Sequence, residues 1–429
     1  MSRPVPSSVK GGATGVAGTA VSKRPIGSGA DHSLMRELNR SLVLDVIKEN
    51  SPISRAAIAK QTSLAKPTVS AIIDDLIAEG LVREIGPGQT TSGGGRPPIL
   101  LEFNGRSQFL VGIQVGVKRT TIVVADARGE ELERTEMSTP HGDASAALQR
   151  ISESVHRSVA AAGASLKRLG AVGVCLPGLV DLHTGVCLLA PNLGWKDVPV
   201  AATLTASLGV PVYVVNTVDA ALVVEHVEGV ARGAQDAVLL YIGRGIGAAF
   251  ITEGRLLHGA SGLAGEIGHC HLPGASQPCN CGKVGCLEAE ADARAIVRAV
   301  REAVASGRGT TLDGSDEDLR AEDVAAAAAE GDELSLEVLR DAGRRIGVAV
   351  SWLINLFNPQ IVVIGGGIAG AGEPLLGPLR EAALEHALPQ ATSQVEIKPW
   401  AFGPNATVRG AVLVALQYAE TYYRVIFQG

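Results

Sequence analysis

The 429-residue sequence is poor in aromatic residues: Phe, Trp and Tyr together make up 3%. Its apolar content, 46%, rests instead on Ala, Val and Leu, beside 52 glycines. That balance fits an α/β protein with tight helix–sheet packing. No run of about 18 apolar residues occurs, so no membrane-spanning helix is expected. The N-terminus lacks the apolar core of a signal peptide and opens with Gly, Ser, Ala and Pro, which makes the cytoplasm the expected compartment. Cysteine is scarce too, at six residues. Four of them fall between Cys270 and Cys286, which reads as a metal site rather than a disulfide framework. A chain of this length is too long for one compact core and implies two or three domains.

The formal net charge of -6 hides an asymmetry. Residues 1–100 hold 12 Lys+Arg against 8 Asp+Glu, whereas the remainder holds 26 against 36. A mildly basic first part on an acidic body points to a nucleic-acid partner for the first part alone.

Residues 1–32, rich in Gly, Ser, Ala and Pro, read as a disordered tail. From Leu34 the pattern becomes helical, with Leu38, Leu42, Val43, Val46 and Ile47 on one face. Asn50-Ser51-Pro52 ends that helix. Ser54 can cap a second helix bearing Ala57, Ile58 and Ala59. A third is expected near residues 66–79, burying Val69, Ile72, Ile73, Leu76 and Ile77, with Gly80 as its C-cap. Residues 81–85 and 99–103 then read as two strands around a glycine-rich turn. Three helices and a β-hairpin make a winged helix-turn-helix over residues 33–104.

In that arrangement Lys66, Pro67, Thr68 and Ser70 face outward at the start of the third helix, the end that meets base edges in the major groove. Lys66 could reach a base or a phosphate, and Thr68 and Ser70 a phosphate. Pro67 suits a first helical turn. In the wing, Arg96 follows Ser92-Gly93-Gly94-Gly95 and precedes Pro97-Pro98, as in segments that place Arg in a narrow minor groove. Each feature has a plainer reading: a three-helix domain for protein contacts, and an Arg in an interdomain hinge.

Near Phe109 an α/β body begins. Strands are expected at 110–115, 121–126, 171–176, 212–215, 238–242, 248–251 and 361–364. Helices are expected at 146–162, from Ala220, and at 289–306, 319–330 and 334–356. Two strand pairs, near 110–126 and 238–251, each enclose a glycine turn, which implies two related lobes facing a cleft.

The strongest chemical signal is Gly265-Glu266-Ile267-Gly268-His269 followed by Cys279-Asn280-Cys281-Gly282 and Gly285-Cys286-Leu287-Glu288. His269, Cys279, Cys281 and Cys286 offer one imidazole and three thiolates within 18 residues, the donor set of a closed tetrahedral Zn²⁺ site. Buried reduced thiols are a poor alternative, because the Cys279–Cys286 loop has little apolar cover. Cys270 and His271 compete for a ligand place, His271 being better read as a polar neighbour. Cys175 and Cys187 read as core or strand residues.

These motifs resemble the ROK family (repressors, open reading frames and sugar kinases), with a likeness running from about Asn39 to about Leu416. Leu176-Pro177-Gly178-Leu179-Val180-Asp181 and Pro191-Asn192-Leu193-Gly194-Trp195 look like the family's sugar-pocket loops. Gly243-Arg244-Gly245-Ile246-Gly247 and Gly365-Gly366-Gly367 look like its glycine loops. The resemblance implies an actin-like ATPase fold of two lobes over residues 105–420, with residues 421–429 left unassigned. It implies that His269 serves both metal and sugar, and that Asn192, Asn216, Glu266 and Glu288 take sugar hydroxyls. Carboxylates and amides suit vicinal hydroxyls, and a metal fixes the His tautomer. For Glu288 the plainer reading is a charge at a helix N-terminus.

The departures matter as much. Kinases of the family carry Asn-Asp where this chain has Asn216-Thr217, and Thr is no general base near neutral pH. Asp219 is the one nearby replacement. The first phosphate loop, usually Asp-x-Gly-Gly-Thr, reads Gln114-Val115-Gly116-Val117-Lys118. Phosphoryl transfer depends on such charge placement, so no catalytic residue is assigned. The expected function is a sugar-responsive DNA-binding regulator, a repressor in its simplest form. It would act as a homodimer or homotetramer on double-stranded operator DNA. An active kinase with an appended DNA-binding domain is the enzyme alternative, and a regulator answering to a protein partner is the third.

Overall fold

A computed structural model describes residues 28–89, 97–140, 142–260, 262–314 and 316–419. The N-terminal winged helix-turn-helix runs α1 (Ser28–Asn50), β1 (Ile53–Ser54), α2 (Arg55–Thr62), α3 (Lys66–Ala78), β2 (Val82–Pro87), β3 (Ile99–Phe103). Its core closes over Val43, Ile47, Ile58, Val69, Ile73, Leu76 and Leu101, all fully buried. The Ser54 hydroxyl caps α2 by accepting from the Ala57 N–H. Three details depart from expectation. α1 starts at Ser28, inside the segment read as a tail. Leu42 points to solvent at 43% exposure. The wing sheet has three strands, β1-β3-β2, because the two residues before α2 pair with Leu100 and Leu101.

Lobe I holds β4 (Phe109–Val115), β5 (Arg119–Asp126), β6 (Glu131–Ser138), α4 (Ala144–Ala161), β7 (Leu169–Leu176), β8 (Leu179–Asp181), β9 (Val186–Ala190), β10 (Trp195–Val198), α5 (Val200–Leu208) and β11 (Val212–Asn216). Next, α6 (Thr217–Val227) leads into lobe II: β12 (Ala237–Ile242), β13 (Ile246–Thr252), β14 (Arg255–Leu256), α7 (Leu287–Ala291), α8 (Ala293–Ala305), α9 (Ala321–Ala329), α10 (Glu333–Phe357), β15 (Ile361–Gly365), α11 (Glu373–His386), α12 (Pro389–Thr392), β16 (Glu396–Pro399) and α13 (Ala406–Ala419).

The main sheets have matching topology. Lobe I orders its strands β11-β7-β4-β5-β6 and lobe II β16-β15-β12-β13-β14. In each, an antiparallel hairpin (β4–β5, β12–β13) adds a parallel strand on one side (β7, β15) and then another (β11, β16). The expected two-lobed α/β body is thus present. β7 and β15 are buried almost throughout, as parallel strands covered on both faces should be. A helix expected over 289–306 is in fact two, because Asp292 breaks it and caps α8 by accepting from the Ala295 N–H. The small sheet β10-β9-β8 and α13 had no clear periodic signal. No described helix is long and apolar enough to cross a membrane.

Candidate metal centre and sugar pocket

The metal centre is built on β13. The Gly265 carbonyl accepts from the Ala248 N–H at 2.8 Å. A Cβ on Gly265 would stand 1.9 Å from the Ala248 oxygen, and one on Gly268 2.1 Å from that of Ile246. Only glycine lets this turn press so close to the strand, and it sets Glu266 and His269 beside the sheet. The cysteine loop folds back on itself. The Cys279 N–H donates to Lys283 O, the Leu272 N–H to Gly285 O and the Leu287 N–H to Cys270 O.

The donor atoms of His269, Cys279, Cys281 and Cys286 lie within 4.8 Å of one another. His269 Nδ1 is 3.7 Å from Cys279 Sγ, and Cys281 Sγ is 3.6 Å from Cys286 Sγ. Around a tetrahedral zinc with Zn–S near 2.3 Å, ligand atoms stand about 3.5–3.8 Å apart, so the four expected ligands fit the ion. Burial and the neighbouring sulfurs push the Cys286 thiol up to about 12, a crowding of donors that a dication relieves by binding them as thiolates. Cys270, exposed, and His271, whose Nδ1 lies 3.2 Å from Val284 O, stand outside the cluster. Cys175 and Cys187 are buried in lobe I, as expected.

With Nδ1 turned to the cysteines, His269 Nε2 faces the Glu266 carboxylate at 3.7 Å. Burial raises the pKa of Glu266, the His269 charge lowers it and the Glu288 charge raises it, so these three groups share one neighbourhood. Glu288 accepts from the Ile246 N–H at 3.1 Å and from Arg294 at 3.4 Å. Arg294 also holds Asp292 and was not anticipated; its only signal was an Arg two residues past a helix-capping Asp. Asn216 caps α6, its Oδ1 accepting from the Asp219 N–H at 2.7 Å, which leaves its NH₂ as a donor. Val218, two residues on, abuts Gly247 of β13, so the α6 start lies against the strand that carries the Glu266 turn. Asn192 sits in the exposed turn 191–194 of lobe I above buried Leu193 and Trp195. Among the described residues it makes no hydrogen bond to the other four.

At the positions where kinase chemistry would reside, Thr217 opens α6 and Gln114 is half-buried on β4. Asp219 is 5% exposed, and burial pushes its carboxyl up to about 7. In the winged helix-turn-helix, Lys66, Pro67 and Thr68 are exposed at the α3 start, with Pro67 in the first turn. Ser70 is half-buried, and its carbonyl accepts from Arg55. Arg55 further pairs with Asp74 of α3 and Glu84 of β2, tying recognition helix to wing. Arg96 lies outside the described residues.

Residues 110–418 match the family model described as ROK family. The chain belongs to the ROK family. Residues 37–83 match a winged helix-turn-helix DNA-binding model, so this ROK protein has the domain order of a transcriptional regulator. It is 32% identical over 390 residues to a xylose repressor of Caldicellulosiruptor bescii, covering 90% of this chain and 97% of the relative. A glucokinase of Halalkalibacterium halodurans is 33% identical over 309 residues, covering 71% of this chain and 93% of that one. Among solved structures, a ROK family transcriptional regulator, a homologue of the Escherichia coli MLC protein, superposes with a TM-score of 0.80. It is 29% identical and covers 91% of this chain and 98% of its own. The repressor matches nearly the whole chain and the kinase only part of it, in keeping with a ROK body joined to a DNA-reading head.

Proposed function

We propose that this ROK protein is a transcriptional repressor whose grip on operator DNA is set by a sugar bound between the lobes, and that it has no kinase activity. The observation that carries the reading is the neighbourhood of Glu266, His269 and Glu288 beside four side chains that could hold a zinc ion, in a chain that also presents an exposed third helix of a winged helix-turn-helix. Zinc, held by His269, Cys279, Cys281 and Cys286, would fix the imidazole tautomer and leave Nε2 for a sugar hydroxyl. Glu266 and the free Glu288 lone pairs accept hydroxyl protons. The Asn216 amide donates, and Asn192 closes the pocket from lobe I. Lys66, Thr68 and Ser70 contact the duplex around Pro67, and Arg96 reaches into the minor groove from the wing. Two such heads in a homodimer would read paired half-sites, placing the protein in the cytoplasm on chromosomal DNA.

A sugar changes DNA affinity only if it binds the DNA-competent and DNA-free states unequally. The test is DNA affinity of the zinc-loaded chain, on a duplex selected from a random pool, with and without xylose, glucose and other monosaccharides. Weakening of the complex by a sugar that binds saturably supports the reading. No change with any sugar that binds would end it.

A second reading, an active sugar kinase, is favoured by one observation: buried Asp219, with its raised pKa, lies two residues beyond Thr217. ADP release in the presence of ATP, magnesium and a sugar panel separates the two. Turnover would make Asp219 the base and the regulator an enzyme.

A further inference from the structure

The two lobes meet on one helix, α13, whose last turn faces the DNA-binding domain across a groove. Its Ala406 and Leu413 belong to the lobe II core beneath β12, β13 and β15. Its Val408 and Val412 pack on Val123 and Ala125 of lobe I, and its Ala415 on Leu110 and Ala171. Its last turn carries Leu416 and Ala419, which line one wall of a groove whose other wall is α1, with Arg40, Ser41 and Leu44.

The seating of α13 is backbone against backbone. A Cβ on Gly410 would stand 1.9 Å from the Ala220 oxygen of α6, and one on Gly173 of β7 1.9 Å from the Ala411 oxygen. Arg409 forks onto both oxygens of Glu228, just past α6, and donates to the Gly129 carbonyl in the β5–β6 turn. An interface this close does not deform continuously; its parts move as bodies between discrete packings. α6 begins at the pocket residue Asn216. At the other end, α1 is tied to the recognition helix by Arg36–Asp75 and by the fork of Arg40 on Glu79.

We infer that α13 is the mechanical link between the sugar pocket and the DNA-reading head: a shift of α6 at Asn216 moves α13, which reshapes the groove between the Leu416–Ala419 turn and α1 and so the setting of α1 and α3. The inference rests on the proposed sugar-responsive reading for its direction of use. The link itself makes a claim independent of any sugar: DNA binding at α3 must be felt along α13 and α6, because coupling between sites is reciprocal.

The test uses the full zinc-loaded chain and two groove variants, Leu416→Ser from one wall and Ser41→Arg from the other, neither in the pocket nor on the DNA face. Amide hydrogen exchange is followed with and without a duplex selected from a random pool. DNA affinity is measured with and without xylose and glucose. In the wild type, duplex binding should change protection in residues 406–419 and 217–227 as well as in 28–103. In either variant that folds, the change should be confined to 28–103. Any sugar effect on DNA affinity, typically about 5- to 150-fold where sites couple, should fall at least about fivefold while sugar and duplex affinities measured separately hold. Exchange changes confined to 28–103 in the wild type would overturn the link, as would a sugar effect undiminished in the variants. Should no sugar alter DNA affinity in the wild type, the sugar reading fails, while the exchange result still decides the link.

Discussion

Lobe I and lobe II share a strand order and differ in what their loops carry. Both sheets run hairpin, parallel strand, parallel strand. Lobe I ends its first hairpin strand on Gln114-Val115, turns through Gly116-Val117-Lys118 and buries its cysteines in the core. Lobe II keeps Gly243 and Gly245 at its turn and gathers Cys279, Cys281 and Cys286 with His269 in a cluster that could hold a metal ion. The lesson is that packing holds a topology in place while loops are free to lose or gain chemistry. A sheet buried on both faces tolerates little, whereas a turn can change its residues without disturbing the core.

The comparison can be broken most forcefully at that cluster. Cys286→Ser should abolish stoichiometric zinc and lower sugar affinity by roughly 100-fold or more, while protease resistance of residues 105–208 persists. Metal content, calorimetry and limited proteolysis check the three parts. Loss of lobe I protection together with lobe II would show that the lobes fold as one unit.

Next is the helix between the lobes. Asp219 has a folded pKa raised by burial from 3.8 to about 7, so the native state holds its proton more tightly than the unfolded chain. Its penalty is absent below about pH 4, grows as pH rises and is complete above about pH 7. Asp219→Asn should therefore stabilise the protein at pH 8, by up to about 4 kcal/mol, and leave it unchanged near pH 4. Urea melts at the two pH values decide, and an equal shift at both would mean packing rather than ionisation.

A smaller effect is expected at the pocket. Glu288→Gln keeps the zinc but loses a charge-assisted acceptor for a hydroxyl and weakens the hold on the Ile246 N–H. Sugar affinity should fall about tenfold, with zinc content unchanged. The smallest effect lies outside both lobes. Lys66→Ala should weaken duplex binding about fivefold and reduce the salt slope by about one if Lys66 meets a phosphate. An unchanged slope with relaxed sequence preference would assign it to a base instead.

Much of the candidate site was legible because its parts are close in sequence. Four candidate ligands within 18 residues need only a turn to converge, and their donor atoms come within 4.8 Å of one another. The recognition helix was legible for a related reason: Val69, Ile72, Ile73 and Leu76 repeat at the helical period whatever surrounds them. Where reading from the sequence failed, a local preference met a non-local partner. Leu42 fits the α1 period but faces solvent. The 289–306 helix looked continuous, yet Asp292 caps a new helix and its carboxylate also holds Arg294. Arg55, between Asp74 and Glu84, had no signal at all, since an Arg and two acids scattered over 30 residues occur in most sequences.

By itself the sequence determined the domain order, the helical periods of the DNA-reading head and the four side chains that gather as a candidate metal site, because each is a property of short stretches governed by backbone period and donor spacing. Only the tertiary structure decided that Glu288 accepts from the Ile246 N–H, that Asp219 is buried, and that α13 touches both sheets and lines a groove opposite α1. These depend on contacts such as Gly173 with Ala411 and Gly410 with Ala220, between residues some 190 to 240 positions apart. No periodicity encodes such pairs; they exist only once the chain has closed on its core.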